Sequence, residues 1–162
     1  MPISHEHKPK PSEKYVENGK LEVLVNEILT KWDGDELADA ETFQWKILFT
    51  NGSLGDEEVA GKCRKIDGPI RYLWGVDYLL LIHKPSFDAG TPREKTRILV
   101  HELHHIAQSE NGEPQIRKHA GDFCSIPEHD KLSYRIAEAI YRKLDNLSEF
   151  LTQEELPVPI VS

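Results

Sequence analysis

Apolar residues come in blocks along the chain, each with its own spacing, and polar segments separate the blocks. From about Glu13 to Trp32, the residues Val16, Leu21, Leu24, Val25, Ile28 and Leu29 are spaced mostly by three or four. That spacing predicts an amphipathic helix ending near Asp33-Gly34, with Gly19 weakening its first turns. Phe43 to Thr50 is rich in aromatic and branched residues and runs into Asn51-Gly52, which predicts a strand closed by a turn. Two more strands are expected, around Gly61 to Ile66 and from about Val76 to His83. The second of these is the most apolar stretch of the chain and suits a largely buried position.

The clearest helix start comes next. Thr91 can cap, Pro92 takes the first helical position, and Glu94 stands where a capping box needs a carboxylate. This helix is expected to run to about Ser109, with Asn111-Gly112 as its stop. Glu113 to Pro127 reads as a long ordered excursion. A last helix begins near Asp130, with Leu132, Ile136, Ile140, Leu144, Leu147 and Leu151 as its apolar stripe. Residues 1–12 are polar and proline-rich and read as a disordered tail. Residues 153–162 read as a second tail, which leaves one domain over 13–152. The expected class is α+β: an N-terminal helix, a small mixed or mostly antiparallel sheet of about three strands, the capped helix across its face, and a closing helix.

Composition narrows the function more than the fold. The chain has 162 residues, enough for one hydrophobic core. No apolar run approaches the roughly 18 residues that a membrane span needs, and the start lacks the apolar core of a secretory signal. Cys63 and Cys124 form no Cys-x-x-Cys pair, so a reduced, cytoplasmic setting is expected. A net charge of −8 disfavours binding to phosphate backbones. The basic cluster Lys62 to Lys65 reads as a solvated strand edge.

The capped helix carries the chemistry. His101-Glu102-Leu103-His104-His105 matches His-Glu-x-x-His. Residues four apart on a helix lie one above the other, so His101 and His105 can reach one cation. At about 100° per residue, Leu99, Leu103, Ile106 and Ala107 gather on the side away from the two histidines. Glu102 points beside the metal and can take a proton from a metal-activated water.

A catalytic zinc site needs a third protein ligand and an open position. The metzincin spacing is excluded, because Gln108 and Asn111 stand where it requires Gly and His. His119 is the favoured third ligand; Glu138 on the last helix is its rival, and Asp122 and His129 are weaker. His104 is expected to touch the residues around the metal ligands or the surface and not to bond the metal, and His83 to be a packed or capped strand end. Tyr134, Tyr72 and Arg117 are possible oxyanion donors that no spacing rule selects. His5 and His7 lie in the tail, where no scaffold fixes them.

The stretch Ile98 to Ile106, followed by Ile116-Arg117-Lys118-His119 and Asp122-Phe123, resembles the phage-type metallopeptidases, a zincin-like group distantly similar to the SprT-like proteins. Gly61 to Lys65 and Leu73-Trp74-Gly75 with Asp77-Tyr78 resemble that family's strand region. The resemblance implies a zincin-like fold, a zinc ion at His101, His105 and His119, a catalytic Glu102, and a peptide or protein substrate. It also implies that the strand Val76 to His83 borders the cleft as an edge strand. A non-catalytic zinc-binding regulatory domain is the alternative, and Glu102 discriminates: a structural site has no use for a base beside its ligands.

Overall fold

The computed structural model describes residues 15–52, 54, 60–117 and 128–144, with 128–130 as backbone alone. Its first helix, α1 (Gly19–Lys31), starts later than the apolar spacing suggests. The Asn18 side chain accepts a hydrogen bond from Leu21 N at 3.1 Å and caps the helix there. Upstream, Tyr15–Val16 form a short strand, β1, with both side chains exposed. Val16 falls on the helical period but pairs with Phe49 in the sheet, so capping at Asn18 decides the boundary.

The elements that follow are α2 (Ala38–Thr42), β2 (Trp45–Thr50), β3 (Gly61–Lys65), α3 (Gly68–Trp74), β4 (Tyr78–His83), α4 (Lys84–Ala89), α5 (Pro92–His104), β5 (Ile106–Gln108), β6 (Pro114–Ile116) and α6 (Glu128–Tyr141). The class is α+β. Four strands form a mixed sheet in the order β1-β2-β4-β3, one more than expected. β4 runs parallel to β2, with Ile47 opposite Leu80 and Phe49 opposite Ile82, and antiparallel to β3, with Cys63 opposite Leu80. Hence β4 is an inner strand and most of its side chains are buried. The expectation that it borders the cleft as an edge strand is overturned; that place belongs to β3. Leu73 and Trp74, grouped above with strand residues, lie in helix α3.

One face of the sheet, carrying Ile47, Phe49, Tyr78, Leu80 and Ile82, shares its core with Leu21, Leu24, Val25 and Ile28 of α1 and Leu99, Val100 and Leu103 of α5. α5 also packs along α6, whose Ile136, Ala137 and Ile140 join the same core. Leu147 and Leu151 of the expected stripe lie outside the described residues. Among the described residues, no helix is long and apolar enough to cross a membrane.

The capped helix ends at His104, a turn earlier than expected, with His105 as its C-cap. Ile106 and Ala107 continue the apolar pattern, but they do so as buried residues of strand β5, paired with Ile116 and Gln115 of β6. Asn111-Gly112 is therefore the tip of a hairpin. Gly112 sits there at φ 83°, a left-handed conformation that favours glycine. The Tyr78 hydroxyl, 2.9 Å from Ala107 O and 2.7 Å from Gln115 O, fastens this hairpin to the sheet. Burial pushes the Tyr78 phenol up to about 12, so it keeps the proton that these carbonyls require.

Candidate metal centre

The register of α5 is set at its start. Thr91 Oγ1 accepts from Glu94 N at 3.2 Å, and Glu94 Oε1 accepts from Thr91 N at 2.9 Å, completing the capping box. In the last turn of the helix and at its cap, His101 and His105 bring their Nε2 atoms within 3.2 Å of each other, the rings 4.8 Å apart and nearly perpendicular.

His105 is held from behind by Arg117. Its Nδ1 donates to the Arg117 carbonyl, which can only accept, so the Nε2 lone pair is the one turned toward His101. Arg117 N donates to His105 O at 2.7 Å, and Arg117 Nη1 donates to His104 O at 2.7 Å. Asp39 lies 3.7 Å from the same guanidinium. Arg117, weighed above as an oxyanion donor, is thus turned onto the helix end. It positions His105.

Glu102 is buried against the edge strand. A Cβ on Gly61 would come within 3.0 Å of both Glu102 Cγ and Oε2, so glycine leaves the room that this carboxylate occupies. Cys63, two residues along, faces the same group. Burial first, and the Glu102 charge second, push its thiol well above the usual range, so it stays protonated at neutral pH and offers no thiolate nucleophile. His101, Glu102 and His105 lie in a cleft of about 670 Å³ whose apolar walls include Leu54, Ile98 and Ile116.

The other sequence candidates divide clearly. His104 neither faces the cleft nor the surface; it is buried, with Nδ1 2.8 Å from Ser133 Oγ of α6. His83 ends β4 and meets Ser86 Oγ at 2.6 Å. Glu138 faces Arg93 Nε at 3.4 Å and Arg97 Nη2 at 3.5 Å. Tyr134 accepts from Arg97 at 2.9 Å beneath its guanidinium, while Tyr72 is exposed on α3. His119, Asp122, His5, His7 and the side chain of His129 lie outside the described residues. Among the described residues, no group of three or more His, Cys, Asp or Glu is gathered to hold a metal ion; His101 and His105 are the pair they supply. Sequence reasoning missed Arg97, which lines the cleft. Its place four residues before His101 was the available signal.

A family model described as "Putative phage metallopeptidase" matches residues 13–149. No curated protein and no solved structure matches the chain.

Proposed function

Because the chain belongs to this phage metallopeptidase family, we propose that it hydrolyses peptide bonds with zinc held by His101, His105 and His119 and with Glu102 as general base. One observation carries the reading: two imidazole Nε2 atoms converge on the floor of a cleft beside a buried carboxylate. Two nitrogens each about 2.0–2.1 Å from one tetrahedral ion stand about 3.3 Å apart. The 3.2 Å separation fits that spacing. Facing lone pairs repel unless a proton or a cation lies between them, and the Arg117 carbonyl directs the His105 lone pair inward.

When bound, the zinc ion supplies Lewis acidity that brings the pKa of water to about 7 and polarises a carbonyl. The remaining work falls to the chain. Glu102 accepts the proton of the attacking water and delivers it to the leaving nitrogen. Gly61 lets that carboxylate sit against β3, and Arg117 keeps His105 in one tautomer. Leu54, Ile98 and Ile116 give the cleft apolar walls against which a substrate can pack. A cytoplasmic setting and one domain over 13–152 belong to the same proposal.

Protein purified with zinc is expected to carry one metal per chain by elemental analysis and to cleave casein. Chelation should remove both properties and added zinc restore both; cleavage by metal-free protein would overturn the proposal. A second expectation concerns the glycine. Gly61→Ala should slow cleavage about tenfold, because its Cβ would press on Glu102 Cγ and Oε2 at 3.0 Å and small misplacements of a reacting group are costly. Zinc content should not change. Wild-type rates in this variant would detach Glu102 from the reaction.

A further inference from the structure

Arg97 stands four residues before His101, so it leaves the same face of α5 one turn earlier, and it lines the same cleft. Its guanidinium is held in place from one side. It stacks on the Tyr134 ring with Cζ 4.1 Å from the centroid, and Nη2 donates to Tyr134 Oη at 2.9 Å. The side chain is nevertheless 36 % exposed, so it is fixed without being sealed off.

The charge around it is not balanced. Glu138 is shared between two cations, with Oε1 3.4 Å from Arg93 Nε and Oε2 3.5 Å from Arg97 Nη2. One carboxylate against two guanidiniums leaves this cluster positive, in a chain whose net charge is −8. Glu94, on the same helix, is turned to the capping box. The contact between Arg97 and Glu138 is also loose: Glu138 Oε2 and Arg97 Nε are both buried without a hydrogen-bond partner among the described residues. Of the five N–H donors of a guanidinium, Tyr134 takes one. A tie between α5 and α6 is already made by Arg93, which meets the same Glu138 and lies 5.1 Å from the Tyr141 ring centroid. Of the two arginines, it is Arg97 that lines the cleft.

We propose that Arg97 is a specificity-determining residue of the cleft, binding a carboxylate of the substrate close to the scissile bond. A planar fork with donors to offer suits a carboxylate, which it can hold through two parallel N–H···O bonds. Four residues of helix rise about 6 Å, and an extended peptide advances about 3.3 Å per residue. The carboxylate therefore belongs within about two residues of the bond held over His101 and His105. The proposal rests on the peptidase reading above and names its substrate class: acidic peptides, with the carboxylate on an Asp or Glu side chain or at the C-terminus.

The test is binding of four labelled tripeptides, triglutamate and triglutamine, each with a free or an amidated C-terminus. They are titrated with the full chain carrying Glu102→Gln, zinc added, and read by fluorescence anisotropy. Triglutamate should bind about tenfold tighter than triglutamine amide, the low end for hydrogen bonds to a charged group. Arg97→Gln should remove that preference. Arg97→Lys, which keeps the charge and a long stem but not the fork, should retain part of it. It carries the test if Arg97→Gln fails to fold by circular dichroism, an undiminished preference then counting against the proposal. The ratio between probes separates recognition from structure, because loosening α5 from α6 would weaken all four alike. Preference for triglutamate amide assigns the carboxylate to a side chain; preference for triglutamine with a free end assigns it to the C-terminus. No preference in the parent would overturn the proposal, as would one that survives in Arg97→Gln because the carboxylate sits on the metal. Failure of the peptidase reading looks different: the protein with Glu102 intact would keep the Arg97-dependent preference and leave casein whole.

Discussion

Glu102→Gln is expected to lower casein cleavage by about 10²–10⁴-fold, the usual contribution of a positioned general base, while zinc content stays at one per chain. Glutamine matches glutamate in shape, so the close fit against Gly61 survives. What is lost is the ability to accept a proton. The position is 5 % exposed, so bulk water has little access from which to replace the missing base. Elemental analysis beside a cleavage assay separates the two effects. Retained cleavage would remove Glu102 from the mechanism. Equal loss of zinc and cleavage would instead make Glu102 part of what holds the metal, and would favour a structural site.

The parts of the site readable in the sequence are those fixed by local chemistry. Thr91, Pro92 and Glu94 carry their start signal within one turn, and the spacing of His101 and His105 follows from helix geometry alone. The parts that were misread depend on distant partners. Ile106 and Ala107 satisfy the helical wheel equally well as a last turn or as strand residues. Only pairing with Ile116 and Gln115 decides between them. β4 reads as apolar, yet whether it is an edge or an inner strand depends on β3, which supplies the actual edge. Arg117 illustrates the same limit: nothing near it in sequence reveals that its carbonyl will meet His105 Nδ1. α3 escaped because its apolar residues serve no core, so their pattern says nothing about the fold.

The third ligand is where the next large effect is expected. If His119 is the third ligand as proposed, His119→Ala should reduce zinc affinity by more than the roughly 10–100-fold that loss of an outer partner costs, since it would remove one of three protein ligands. Glu138→Ala should leave zinc bound. Sequence spacing left the two residues as rivals, and the surroundings of Glu138 now weigh against it. Its carboxylate lies 3.4 Å from Arg93 and 3.5 Å from Arg97, two cations that would have to be abandoned before it could serve a third. Arg97, which also lines the cleft, in turn stacks on Tyr134 of α6 with its Cζ 4.1 Å from the ring centroid. Removing Glu138 should therefore be felt in stability, through the loss of a carboxylate beside Arg93 and Arg97, and not in metal content. Zinc lost in Glu138→Ala but kept in His119→Ala would reassign the ligand, and would require the Arg93 and Arg97 contacts to break when the metal binds.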